Sequence, residues 1–209
     1  MQNTTIIKAR WILTVNQEFE LLSDSALIMK NDLIHAIVPV SELEQMEGLQ
    51  QAETIELENH VLMPGLINTH THAAMSLLRG IADDLPLMDW LNNHIWPAET
   101  SWVDRQFIED GVRLAVAEMI RGGTTCFNDM YFFPDVMART CQQMGMRASA
   151  GLIVLDFPTI WAKSADEYLT RALAVIDELR EMPLITPVLA PHAPYTVSDE
   201  PLEKIAMYS

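Results

Sequence analysis

From Gly65 onward the chain alternates β-rich segments with long amphipathic helices, and this alternation restricts the fold more than any other feature. Strands are predicted at residues 66–72, 124–128, 147–155 and 186–190. The clearest helix covers residues 104–121, where apolar side chains recur at helical spacing until Gly122-Gly123 ends it. Further helices are predicted at residues 135–144, from a capping box at residues 164–167, and at residues 200–207. This order of elements predicts an α/β fold with a parallel sheet and crossover helices.

Two histidines end the first of these strands, in the run PGLINTHTH at residues 64–72. Side chains alternate along a strand, so His70 and His72 are expected to point the same way. Two imidazoles on one face provide half of a transition-metal site. An isolated pair of this kind is more often two surface or packing histidines. Here, the sharp entry at Pro64-Gly65 and the position at the carboxyl end of a strand favour metal binding.

The run at residues 64–72 resembles the first-strand signature of the amidohydrolase superfamily. The segments AAMSLLRG at residues 73–80, LMDWL at 87–91 and IWPAE at 95–99 resemble a narrower branch. That branch contains the 5'-methylthioadenosine/S-adenosylhomocysteine deaminases and their triazine-hydrolase relatives. The resemblance extends from about residue 5 to the end of the chain.

The resemblance implies a TIM-type (β/α)8 barrel flanked by a small β-sandwich domain. Residues 1–62, which consist mainly of short predicted strands, would contribute to the sandwich, and residues 63–209 would form the first half of the barrel. Four strand–helix units are half of an eightfold barrel, which alone takes about 250 residues. The last predicted helix also lacks a stop signal. We therefore expect the N-terminal half of a longer protein.

The same resemblance assigns roles to five residues. His70 and His72 would bind one divalent metal, expected to be zinc, with iron or nickel as alternatives because imidazole suits all three. Glu99 would accept the ribose hydroxyls of a nucleoside, His192 would contact the substrate, and Trp90 would line an apolar pocket. The remaining ligands and the general acid/base would lie beyond residue 209, so no catalytic residue is expected within the chain.

Each substrate-contacting assignment has an alternative. Glu99 could be a solvated residue before a helix, and Trp90 could belong to the core of an amphipathic helix. His192 ends the fourth predicted strand between two prolines, where it could instead be a third metal ligand or a structural loop residue.

The composition of the chain indicates which classes of partner it can bind and in which cellular compartment it is expected. With 29 Asp and Glu against 13 Lys and Arg, the net charge of −16 argues against binding nucleic acid or an anionic membrane. Cys126 and Cys141 match no metal or redox motif and are expected to be buried free thiols in a reducing compartment. No signal peptide or membrane span is recognised, so a cytoplasmic protein is expected. The sequence leaves a homo-oligomer open.

The function predicted from the resemblance is metal-dependent deamination of adenosine-type nucleosides. Arg147 is present at the third strand, but residues 148–162 contain no Arg or Lys. A methylthio group would suit this apolar segment better than the charged end of S-adenosylhomocysteine. The alternatives are a triazine or other amino-heterocycle hydrolase, and a half-barrel without catalysis.

Overall fold

A computed structural model describes residues 3–208, which divide into two compact units on either side of the Pro64–Gly65 bond. The first unit contains a four-stranded sheet in the order β3-β2-β1-β4. Strand β1 is antiparallel to β2 and parallel to β4, and β2 is antiparallel to β3. The strands are β1 (Thr4–Leu13), β2 (Leu21–Lys30), β3 (Leu33–Pro39) and β4 (Glu53–Leu62), with a 3-10 helix at Val40–Gln45.

One face of this sheet packs a small apolar cluster around Ala9, Ile12 and Leu27. Strand β1 ends at Leu13, and Val15 adopts left-handed backbone with φ 49°. The described residues of this unit form a single sheet, so the second layer of the expected sandwich stays a prediction.

The second unit contains a parallel sheet in the order β5-β6-β7-β8, as the alternation of elements predicted. Its strands are β5 (Leu66–Thr71), β6 (Thr124–Tyr131), β7 (Arg147–Val154) and β8 (Ile185–Pro191). Residues Gly151–Val154 of β7 are all buried, as in strands covered on both faces. By contrast, the edge strand β5 leaves Leu66 51% and Ile67 68% exposed. Closure of this sheet into a barrel stays a prediction.

Within residues 3–208, six α-helices connect and cover these strands. They are α1 (Leu87–Trp90), α2 (Trp96–Trp102), α3 (Arg105–Arg121), α4 (Pro134–Met144), α5 (Ala165–Leu179) and α6 (Asp199–Tyr208). The segment after β5, expected to be a short helix, is a 3-10 helix at Ala73–Leu78. Helices α1 and α2 are joined by a π-helical turn at Leu91–Ile95, a feature that sequence periodicity does not reveal.

Side-chain caps define where the long helices start. Asp104 accepts a hydrogen bond from the Phe107 amide at 2.8 Å, so α3 begins one residue after its expected first position. Ser164 caps α5 by accepting from the Glu167 amide at 3.3 Å, which confirms half of the predicted capping box. The reciprocal bond differs, because the Glu167 carboxylate accepts from the Lys163 amide rather than from Ser164.

The main core lies between the parallel sheet and its helices. Its most deeply buried members include Ile108, Val112 and Val116 of α3, Phe127 of β6, Leu152 of β7 and Tyr168 of α5. Gly111 on α3 lets that helix approach the segment after β5, since a β-carbon there would overlap the Ala74 carbonyl oxygen. The 3-10 helix that follows the two histidines is therefore packed closely against α3.

The expectation that both cysteines are buried free thiols is only partly correct. Both are free, but Cys141 is buried whereas Cys126 is half-buried. Burial strongly raises the pKa of the Cys141 thiol, which keeps it protonated and unreactive. Within residues 3–208, none of the helices is both long and apolar enough to cross a bilayer.

Candidate functional site

His70 and His72 lie together at the carboxyl end of β5. His70 is the penultimate residue of the strand, and His72 follows its last residue, Thr71. The two imidazole rings are 5.2 Å apart between centroids and nearly perpendicular, at 77°. His70 is exposed and His72 is half-buried. The strand alternation thus brings the two rings together, as expected.

The neighbouring strand fixes the orientation of His72. Its Nδ1 lies 2.6 Å from the carbonyl oxygen of Met130 on β6. A carbonyl oxygen only accepts, so Nδ1 is the donor of this bond and Nε2 is the ring nitrogen that remains for another partner. This backbone bond is the kind of outer contact that orients metal-binding histidines.

Asp129 on β6 is a buried carboxylate that connects β6 to the chain around His72. Its Oδ1 accepts a hydrogen bond from the Ala73 amide at 2.6 Å and lies 2.8 Å from the Thr71 hydroxyl, whose one hydrogen is shared between Asp129 and the Asn128 carbonyl oxygen at 2.9 Å. Burial raises the pKa of Asp129, while these two hydrogen bonds and the charges of His72 and His70 act in the opposite direction. Only 2% of the residue is exposed.

Glu99 lies on α2 and is joined to β6 by Tyr131. The Tyr131 hydroxyl donates a hydrogen bond to Oε1 of Glu99 at 2.6 Å, and the Tyr131 ring lies 6.0 Å from the His72 ring. Burial raises the pKa of Glu99, whereas the Tyr131 hydrogen bond and the charge of His72 lower it. Burial, followed by the charge of Glu99, raises the pKa of Tyr131, so this hydroxyl stays a donor.

An aromatic residue, Trp96, lies near Glu99 on the same helix. Trp96 precedes it by three positions on α2, and residues at that spacing share one side of a helix. The Trp96 ring meets the Phe157 ring at 6.5 Å in an edge-on arrangement. Trp96 and Glu99 are therefore neighbours on the surface of α2.

Trp90 occupies a different surface. It lines a cavity of about 390 Å³ together with Met75, Leu78 and Ile95, and the residues lining that cavity include neither histidine of the pair and not Glu99. The structure thus associates Trp96, rather than Trp90, with Glu99.

His192 follows the last residue of β8 and so lies at the same carboxyl end of the parallel strands as the histidine pair. Its amide donates to the Val154 carbonyl at 3.2 Å, and its Nδ1 lies 2.9 Å from the Thr196 hydroxyl. Burial lowers the pKa of His192, and the nearby charges of His72 and His70 lower it further. The half-buried ring therefore favours its neutral form beside the other two imidazoles.

The side chains present supply part of a metal site. Within residues 3–208, no three His, Cys, Asp or Glu side chains are grouped closely enough to hold a metal ion. His70 and His72 provide two nitrogen donors, whereas hydrolytic metal sites use three or more protein ligands. The donors fit zinc, iron or nickel in type and fall short of a complete site in number.

Residues 61–208 match the sequence pattern of the amidohydrolase family. This chain belongs to the amidohydrolase family. Among its relatives is a 5-methylthioadenosine/S-adenosylhomocysteine deaminase from Saccharophagus degradans, 52% identical over 97% of this chain and 45% of that protein. The chain spans about half the length of the curated relatives it matches.

Solved amidohydrolase structures agree with this fold. The crystal structure of a zinc-bound adenosine deaminase from Xanthomonas campestris superposes with a TM-score of 0.92 and 45% identity, over 98% of this chain and 46% of that one. A triazine hydrolase from Arthrobacter aurescens superposes with a TM-score of 0.86 over 99% of this chain and 50% of its own. Its identity is 19%, so it supports the fold alone. The chain therefore has the α/β architecture of part of an amidohydrolase barrel.

Two residues of this amidohydrolase site, Asp129 and Tyr131, were given no role by the sequence reasoning. A signal for both was present, since they close the second parallel strand at the edge where the first strand ends in histidines. Polar residues at that edge are candidates for function in barrel enzymes.

Proposed function

We propose that this chain, in a protein of its relatives' length, forms half of the active site of a metal-dependent deaminase. The substrate would be an adenosine-type nucleoside, 5'-methylthioadenosine first, and the product of hydrolysis would be ammonia. The observation that carries the proposal is that His70, His72 and Glu99 lie near one another at the carboxyl end of the parallel strands. The 52% identity to a deaminase that carries this substrate in its name supports it.

His70 and His72 are the proposed metal ligands of this half. Zinc is the proposed metal, because imidazole nitrogen suits it and a relative of 45% identity binds it. When bound, a divalent metal supplies activated water as a nucleophile near neutral pH. The bond between Nδ1 of His72 and Met130 holds the imidazole ring and leaves Nε2 as the nitrogen that would bind such an ion. The remaining ligands and the proton-transferring group are proposed to come from the rest of the barrel.

Glu99 is the proposed acceptor for the ribose hydroxyls. A carboxylate has about four lone-pair directions, and Tyr131 uses one of them on Oε1. Oε2 remains available to accept from the two adjacent hydroxyls of a ribose. His192, at the same edge, is proposed to contact the substrate with Nε2, because Nδ1 is engaged by Thr196.

The shape of the site supports a methylthio group over a charged one. Trp96, three positions before Glu99 on α2, forms an apolar pair with Phe157. Arg147, the one arginine near the third strand, is the first residue of β7 and so lies at the opposite end of that strand from the site. Eight strand residues separate the ends by roughly 25 Å. Arg147 is therefore a poor candidate for holding a terminal carboxylate.

Ammonia release tests the proposal directly. The zinc-loaded protein, at its relatives' length, is incubated with methylthioadenosine, S-adenosylhomocysteine and an aminotriazine, and kcat/KM is measured for each. We expect the highest value for methylthioadenosine. Turnover of the triazine alone would replace the nucleoside proposal with the heterocycle alternative, and no turnover of any of the three would contradict both.

A further inference from the structure

The side chain of Asp129 contacts the chain on both sides of His72. Its Oδ1 accepts from the Ala73 amide and shares the Thr71 hydroxyl hydrogen with the Asn128 carbonyl, and Thr71 and Ala73 are the two residues that flank His72. Strand β5 ends at Thr71, and the 3-10 helix starts at Ala73. The carboxylate thus holds the chain on both sides of His72 at the point where it leaves the sheet.

Two consecutive residues of β6 therefore determine where His72 lies. Asp129 fixes its backbone through its neighbours, and the Met130 carbonyl fixes its ring through Nδ1. The Ala73 amide, which has no acceptor within its own helix because it lies at the start, donates to Asp129 instead. A change at Asp129 would release the turn without removing either histidine.

The charge of Asp129 is unusual as well. Among the described residues, no ion pair includes it, and its recorded hydrogen bonds run to Oδ1. The other buried aspartate, Asp135, is paired with Arg105 and Arg139. A buried carboxylate without a cationic partner costs free energy, and a bound cation nearby offsets that cost. The imidazoles that interact electrostatically with Asp129 are His72 and His70.

We propose that Asp129 is a positioning residue for metal binding: its Oδ1 fixes the turn that carries His72, and its charge favours a divalent cation at the histidine pair. Asp129 is not proposed as a ligand, since it forms no three-residue metal group with the histidines within residues 3–208. The inference rests on the proposed metal role of His70 and His72.

Cobalt(II) is the probe, because it occupies zinc sites and absorbs visible light. The protein at its relatives' length is stripped of metal with a chelator and titrated with Co²⁺, and its melting temperature is measured without metal. Asp129→Asn retains an Oδ1 that accepts from Thr71 and Ala73 but loses the charge. Asp129→Ala loses both. Thr71→Val removes one hydrogen bond and keeps the charge, and Asp135→Asn is the control because it is a buried aspartate outside the site.

Asp129→Asn should melt close to the wild type and bind Co²⁺ about 10–100-fold more weakly, the usual effect of losing an outer contact of a metal site. Thr71→Val should also bind more weakly, and with Asp129→Ala it should alter the visible spectrum, because His72 is no longer held. Asp135→Asn should melt lower and keep wild-type affinity and spectrum.

Wild-type affinity and spectrum in both Asp129→Asn and Thr71→Val would overturn the inference while leaving the histidine site intact. Equal weakening in Asp135→Asn would also overturn it, by showing a general loss of stability. A wild-type protein that binds no Co²⁺ would instead contradict the proposed metal site itself.

Discussion

The Tyr131 hydroxyl donates a hydrogen bond to Oε1 of Glu99 across 2.6 Å, joining the second strand of the parallel sheet to helix α2. The Tyr131 ring is also 6.0 Å from the ring of His72. One tyrosine therefore connects the proposed ribose acceptor to the proposed metal ligand. The distance between these two functions is set by a side chain rather than by a mobile loop.

Removing that hydroxyl should weaken the use of nucleosides. In Tyr131→Phe, Glu99 loses a hydrogen bond to its charged form, which typically contributes about 1.5–3 kcal/mol. We expect kcat/KM for methylthioadenosine to fall about tenfold or more, since about 1.4 kcal/mol is a factor of ten. In the wild type this hydrogen bond lowers the pKa of Glu99. Its loss should therefore raise that pKa and move the acid limb of the pH profile to higher pH. Steady-state kinetics across pH measure both effects.

Tyr168→Phe is the matched control for this variant. Tyr168 is also buried and hydrogen-bonded, but its hydroxyl meets Thr159 at 2.5 Å, outside the site. It should keep the wild-type kcat/KM and pH profile. A similar loss in both variants would show that Tyr131 acts through stability alone.

Glu99→Ala should discriminate between substrates with and without a sugar. Ribose hydroxyls left without an acceptor cost about 1–3 kcal/mol, which is roughly a ten- to hundredfold loss in kcat/KM for methylthioadenosine. An aminotriazine has no ribose and should lose much less. Glu118→Ala on the surface of α3 serves as the control. Equal losses on both substrate classes would assign Glu99 a structural role.

Loss of either histidine of the pair should remove the metal. His70→Ala and His72→Ala each leave an incomplete donor set, so elemental analysis should find much less than one metal per protein and no ammonia release. His94→Ala, in the π-helical turn, should retain both. Full metal content with normal turnover in the first two variants would eliminate the proposed ligands.

The 209-residue chain produced alone should self-associate and be inactive. Strand β5 lies at one edge of the parallel sheet and exposes Leu66 and Ile67, and unpaired strand edges pair with other chains. Size-exclusion chromatography with light scattering measures the assembly state. A monodisperse monomer with stoichiometric metal would contradict this expectation.

Local patterns were sufficient to predict the four parallel strands and the long helices of the second unit, but not its 3-10 helix or its π-helical turn. The period of apolar residues indicated α3, and the caps at Asp104 and Ser164 belong to motifs readable within four positions. Alternation along β5 was likewise enough to place His70 beside His72.

The contacts between elements could not be predicted in the same way. Tyr131 and Glu99 are 32 positions apart in sequence, and the register of β6 against β5 decides that Asp129 meets Thr71. Such pairs depend on packing of whole elements, which no short pattern encodes. The positions of Trp90 and Trp96 could not be told apart from the sequence either, because the π-helical turn between them changes the rotation of the helix that follows.

The order of the strands has a consequence for synthesis of the protein. In the sheet β5-β6-β7-β8, every strand pairs with the one made just before it, and β1 to β4 pair only among themselves. Strands β6, β7 and β8 thus each find their partner already present when they leave the ribosome, although β6 must first close a long connection, from Leu66 to Thr124. The first sheet can form before the histidines of the second have been translated.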